Sequence, residues 1–315
     1  GIMETSTQRA ILNIMIHAAL VDGQKSESER AAIRDVAESL AGQAGGTALA
    51  GVYQDVLLKR VTLQQALAGL RELEHRQLAY EMAVCVCDAD GVQSQAEQEF
   101  LSSLRDALGL AGDDPAIASA AQADTIAAAA VAAPIAAPTF TAASARDAEL
   151  DKSILNYSIL NGALELLPQS WASMAIIPLQ VRMVYKIGKA HGVEMDQGHI
   201  KEFIATVGVG LTSQYVEQIG RKLIGGLVGK AAGKMLGGLT GAATGMAFSF
   251  ATTYALGQVA KRYYAGGRVM STELLKRSFQ EMLGPAKNLQ QEYLPAIRQR
   301  ASTLSASEVV ELVRR

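Results

Sequence analysis

Between residues 10 and 108, apolar side chains recur three and four positions apart in six successive stretches: AILNIMIHAAL, ERAAIRDVAESL, VYQDVLLKRV, LQQALAGLRELE, LAYEMAVCV and EQEFLSSLRDAL. That spacing stacks the apolar groups on one face of an α-helix. Turn signals at Asp22-Gly23, Gly45-Gly46, Asp90-Gly91 and Gly109 punctuate the run. No stretch alternates with the period of two that a strand requires. The pattern predicts a compact helical domain over residues 3–112.

The pattern then changes three times. Residues 113–147 are rich in Ala, Ser, Thr and Pro and poor in large apolar groups. Such a segment buries too little surface to offset its ordering entropy, so it reads as a tether, helical for a few turns around Ile126 and stiffened near Pro134 and Pro138. Residues 148–270 are more apolar: Glu165 is the only charge from Ser153 to Val181, and none occurs from Met235 to Ala260. Residues 271–315 return to amphipathic helices, with Ser305 and Glu308 spaced as a capping box before a last helix. The fold class expected is all-α throughout.

Composition narrows the picture. The 315 residues are 49% hydrophobic but only 5% aromatic, so Ala and Gly carry much of the apolar content and favour closely approaching helices. A net charge of −2 gives no electrostatic footprint for nucleic acid. Cys85 and Cys87 stand at i and i+2, where helical side chains do not face each other, and read as small buried hydrophobes in a reducing compartment. The N-terminal stretch lacks a basic region and a small-residue cleavage site, so it does not read as a signal peptide.

The first domain contains a repeat. HAALVDGQKSESERAAI recurs in kind as VCVCDADGVQSQAEQEFL, aligning Asp22 with Asp90, Gly23 with Gly91, Ser26 with Ser94 and Glu29 with Glu97. Two readings stand. In one, Ser26 and Ser94 cap the following helices, Glu29 and Glu97 close the capping boxes, and Gly23 and Gly91 adopt positive φ. In the other, the turns converge and Asp22, Glu29, Asp88, Asp90 and Glu97 hold a divalent cation: calcium, magnesium or manganese. A complete calcium loop is excluded, because its first ligand position falls on Ala18 or Val86. The paired VDGQKSESE and DADGVQSQAE motifs resemble the TerB family of tellurite-resistance proteins. That resemblance, over about the first 110 residues, implies a small all-helical domain with metal-binding acidic residues that works beside membrane-associated stress complexes.

A second signal lies in GGLVGKAAGKMLGGLTGAATG. Gly225, Gly229, Gly233, Gly237, Gly241 and Gly245 recur every four residues, which places them on one helical face. Interior glycines cost about 1 kcal/mol each relative to Ala, so the ladder makes sense as a helix only if another backbone packs into it. The uncharged stretch Met235–Ala260 would reach about 39 Å as a helix, enough for a bilayer core. Its Thr and Ser content equally suits burial between subunits. Trp171, Tyr254, Tyr263 and Tyr264 are the expected membrane-interface aromatics. Pro168 and Pro178 are expected to break the preceding apolar stretch into a re-entrant or surface-lying segment.

IIPLQVRMVYKIGKAHGVEMDQGHIKEFIATVGVG, the ladder and the following tyrosine pair together resemble the uncharacterised domain of YcjF-type inner-membrane proteins, also fused to some Era-like GTPases. The resemblance implies membrane association and a GTPase partner. The chain itself has no G-x-x-x-x-G-K-[ST] loop.

Chemistry-bearing motifs are sparse. His191, Glu194, Asp196 and His199 lack an H-E-x-x-H arrangement and read as a solvated turn and helix start. His17 reads as a core residue. Neither a nucleophile elbow nor a cysteine signature occurs. The function expected from sequence is therefore non-enzymatic: a membrane-associated or self-assembling scaffold of a bacterial stress response, at the cytoplasmic face of the inner membrane. The alternatives are a soluble homo-oligomeric shell and a metal-dependent stress sensor.

Overall fold

The computed structural model describes residues 4–23, 27–42, 46–88, 94–112, 114, 116–117, 143–167, 175–207, 211–224, 247–305 and 307–308. Every regular element among them is helical. In chain order they are α1 (Thr5–Leu20), α2 (Glu27–Ala41), a 3₁₀ turn (Thr47–Leu49), α3 (Val52–Leu57), α4 (Leu63–Ala68), α5 (Leu73–Asp88), α6 (Gln95–Ala107), α7 (Ala143–Glu165), α8 (Ile176–Ala190), α9 (Gln197–Val207), α10 (Leu211–Ile224), α11 (Ala247–Ala265) and α12 (Thr272–Thr303). They form two compact units that are not contiguous in sequence.

The first unit holds α1–α6 and, from the second half of the chain, α10. Helix α1 is its axis. Ile11, Leu12, Ile14, Met15 and Ile16 are fully buried, because α3, α4, α5 and α10 surround the helix. A helix apolar on all sides is what such enclosure requires. The apolar stretch at 63–74 is two helices, not one: α4 ends at the Gly69 cap and α5 restarts at Leu73. Thr62 and Gln65 start α4 with a reciprocal capping box.

Helix α10 packs on α2, α1 and α5 through Val216, Ile219 and Leu223. Gly220 lies against Leu40 so closely that a Cβ there would collide with it. The Gln8 side chain donates to the Leu223 carbonyl at 3.0 Å, satisfying an otherwise orphaned group at the end of α10.

The second unit holds α7, α8, α9, α11 and α12. Its axis is α11, enclosed by α7, α8 and α12. Phe250, Ala251, Ala255, Leu256, Val259 and Ala260 are buried. The described part of the uncharged stretch, Ala247–Ala260, is thus the core of a helical bundle. Residues 235–246 lie outside the described residues, as do all six ladder glycines and Trp171. No described helix is long and apolar enough to cross a membrane.

Close backbone approach is nonetheless present, at other glycines. A Cβ on Gly257 of α11 would sit 2.7 Å from Ile154 of α7 and 3.1 Å from the Met183 sulfur of α8. One on Gly162 would meet Ile297 of α12 at 3.3 Å.

Several expectations are corrected. Pro178 does not break a helix; it is the third residue of α8, where a missing N–H costs nothing. The α7 helix begins at Ala143, inside the segment read as a tether. Gly23 does not take the positive φ expected of it.

Candidate functional site

The acidic repeat resolves first at its second copy. Ser94 is the N-cap of α6: its hydroxyl accepts from the Glu97 N–H at 3.1 Å, and Glu97 Oε1 accepts from the Ser94 N–H at 3.0 Å. Glu97 is 2% exposed. In the first copy Glu29 is buried in the opening turn of α2, and Asp22 is half-buried just after α1. Asp90, Gly91, Ser26 and the Asp88 side chain lie outside the described residues. Among the described residues, no three of His, Cys, Asp or Glu come together around a common ion position. The structure therefore brings together the second capping box, and does not gather Asp22, Glu29 and Glu97 into one ligand set.

A different carboxyl pair appears in this unit. Glu81, in the apolar run AYEMAVCV of α5, is 8% exposed, as is Asp114 just beyond α6. Burial raises the Glu81 carboxyl to about 7, and the Asp114 charge adds to the effect. Asp114 is held in turn by the Gln77 amide, which donates to both its oxygens at 3.1 and 3.2 Å. It also accepts from the Ala116 N–H at 2.9 Å. A carboxyl group in this setting holds or releases a proton near neutrality. Sequence reasoning passed over Glu81; the signal was a single acid in an otherwise apolar helical stretch. Cys85 and Cys87, a turn further on, are buried as expected. His17 is half-buried rather than core, and burial lowers its pKa.

In the second unit, polar groups run through the centre of the bundle. The Asn161 and Gln180 amides both donate to Thr253 Oγ1, at 2.9 and 3.1 Å, tying α7 and α8 to α11. Glu165, the lone charge of the 153–181 stretch, accepts from the Ser249 N–H at 3.3 Å and so caps the first turn of α11 from another helix. Arg182 is fully buried. Burial pushes the Tyr157 hydroxyl up to about 12, outweighing the lowering effect of the Arg182 charge nearby. Lys186 lies 5.4 Å from the centre of the Tyr157 ring. Burial, and then the Arg182 charge, lower the Lys186 pKa. At the rim, Asp151 accepts from Lys261 at 2.7 Å and Gln258 at 3.0 Å.

The tyrosines expected at a membrane interface have intramolecular partners. Tyr264 is 3% exposed, packs on Phe203 and shares a hydrogen bond with His199 at 3.1 Å. Tyr263 stacks obliquely on Phe203 at 5.1 Å, and Tyr254 stacks on Phe250. Tyr264 is thus a core residue, because α9 closes over the end of α11. The 191–199 segment is the turn and helix start its residues imply: Asp196 accepts from the His199 N–H at 2.8 Å and opens α9.

These features place an all-helical unit at the N-terminus, in a sequence that carries the Asp-Gly motif twice. Residues 3–118 match the model of a protein family of unknown function, DUF533. DUF533 is a TerB-like family, so the match agrees with the resemblance carried by the acidic repeat. The DUF533 match stops well short of α10, although α10 completes the same packed unit. Neither a curated protein nor a solved structure matches the chain.

Proposed function

We propose that the chain is a non-enzymatic scaffold that self-assembles through its glycine ladder at a membrane surface, with the DUF533 unit recruiting a partner protein or a divalent cation. One observation carries this reading. Helix α10, packed into the DUF533-containing unit, ends at Ile224, and α11, the axis of the other unit, begins at Ala247. In the sequence the ladder at 225–245 thus runs from a helix of one unit to the axis of the other, one of several stretches that pass between them. The likeness to YcjF-type proteins supports the inner-membrane setting and a GTPase partner, and the TerB-like motifs support a stress-response role.

A soluble homo-oligomer is the second reading, favoured by the burial of α11 within its own bundle. Light scattering of the full chain, with and without vesicles, separates the two. Wild type is expected to form oligomers and to sediment with membranes, whereas a Gly229→Leu, Gly233→Leu, Gly237→Leu variant is expected to be monomeric. A wild-type chain that stays monomeric at micromolar concentration, with or without vesicles, sinks the scaffold reading. Oligomers that ignore vesicles leave the soluble one.

A further inference from the structure

Among the described residues only two non-glycine residues have positive φ, and both are basic: Lys59 at 56° and Arg268 at 64°. Each sits beside large apolar side chains that the fold leaves in solvent. Leu57 and Leu58, 49% and 53% exposed, precede Lys59; Val269, 82% exposed, follows Arg268. These three are among the few large hydrophobics left exposed anywhere in the described residues.

The first corner closes α3. The Lys59 N–H donates to the Val56 carbonyl at 3.2 Å, and the Arg60 N–H to the Asp55 carbonyl at 2.9 Å. This pairing needs a left-handed residue at the position Lys59 fills, which glycine normally supplies. Glycine does supply it where α6 and α8 end in the same way, at Gly109 and Gly192. At α3 a cation stands in glycine's place, followed by a second exposed cation, Arg60. Asp55, the nearby acid, is already paired with Arg9 at 3.0 Å. The second corner follows α11, where Gly267 takes the left-handed position and Arg268 is left-handed as well. From Arg262 to Arg277 the chain carries Arg262, Arg268, Lys276 and Arg277 against Glu273.

We infer that the α3–α4 and α11–α12 corners are contact points for an anionic lipid surface, an inference that rests on the membrane setting above and names its lipid-facing residues. Exposed leucine or valine beside a cation matches what an anionic interface takes: apolar tips that enter the headgroup boundary and charges that stay at it. A protein partner is less well suited, because each corner offers only one or two apolar side chains, far below the roughly 800 Å² per partner that a stable interface buries. Both left-handed residues are ones whose replacement by glycine relieves backbone strain, so cation and stability can be separated.

The test is sedimentation of the full chain with vesicles of phosphatidylcholine alone or mixed with phosphatidylglycerol, at low salt. Wild type is expected to bind the anionic vesicles selectively. Lys59→Gly and Arg268→Gly are each expected to weaken that binding about fivefold, while melting at or above the wild-type temperature. Leu57→Ser with Leu58→Ser is expected to weaken it roughly tenfold with helical content unchanged. Wild-type selectivity with all these variants binding equally overturns the corners and leaves the membrane reading to another surface. Binding to neither vesicle, or equally to both, overturns the corners; binding to neither also removes the membrane setting, and an acidic protein becomes the partner to seek.

Discussion

The two units solve the same problem, an enclosed helix, with different chemistry. Around α1 the enclosed side chains are mostly aliphatic, Thr7, Gln8 and Asn13 being the buried polar residues of the helix itself, and other polar groups sit at the edges as caps and the Glu81–Asp114 pair. Around α11 the enclosed surface includes Thr252, Thr253, Ser249, Asn161, Gln180 and the fully buried Arg182. Aliphatic contact is strong but indifferent to register, whereas a buried hydrogen bond is met in one register and costly in the others. The first unit is thus built for bulk stability. The second spends stability to fix how α7, α8 and α11 meet, as a helix joined directly to the ladder would need.

The comparison can be broken hardest in the first unit. A fragment of residues 3–118 contains the whole DUF533 match but lacks α10, and with it the burial of Val216, Ile219 and Leu223. At about 1.5–3 kcal/mol per buried aliphatic side chain, the fragment should lose roughly 5 kcal/mol or more. That is comparable to the entire stability of many domains. It is expected to melt without a cooperative transition and to bind a hydrophobic dye. A sharp thermal transition equal to that of the full chain would show that α10 is dispensable. Metal titrations of the acidic repeat accordingly belong on the full chain.

In the second unit, Arg182→Ala removes a fully buried side chain and the charge at the centre of the bundle. A loss of about 3–5 kcal/mol is expected in chemical denaturation, since truncating a large, fully buried side chain leaves a cavity and strips the contacts that lined it. A loss under about 1 kcal/mol would mean the seam is not holding the helices in register.

Glu81→Gln gives a smaller effect, with a sign set by the pH. Because the folded carboxyl titrates near 7, well above its ordinary value of 4.5, the folded state holds the proton more tightly than the unfolded one. Its contribution is fully present below about pH 4.5 and is lost as pH rises through 7. Wild type should therefore lose up to roughly 3 kcal/mol between pH 4.5 and 8 from this group, a loss the Gln variant should not show. Parallel stability-versus-pH curves for the two proteins would remove Glu81 as the origin.

The helices and their caps were legible because both are local. Period-3.6 spacing marked α1, α2, α5 and α6, and Ser94 with Glu97 announced the start of α6 three residues apart. The Glu81–Asp114 pair was not legible: it joins residues 33 positions apart across a turn, and nothing in either neighbourhood signals the other. Tyr264 misled for a related reason, since a tyrosine beside basic residues has the same local pattern at a bilayer interface and under a covering helix.

By itself, the sequence determined that the fold is all-helical, where helices with capping signals such as α6 begin, and that some helices must be enclosed on every side. Only the tertiary structure decided what encloses them. Hydropathy registers the removal of a side chain from water, and lipid, a second subunit and the chain's own helices all remove it alike. So the described part of the uncharged stretch, whose pattern suits a span and a helix between subunits alike, is the axis of a bundle. Helix α10, more than a hundred residues beyond α6, belongs with the N-terminal unit because Gly220 and Leu40 fit together there, a match of shapes that no local pattern encodes.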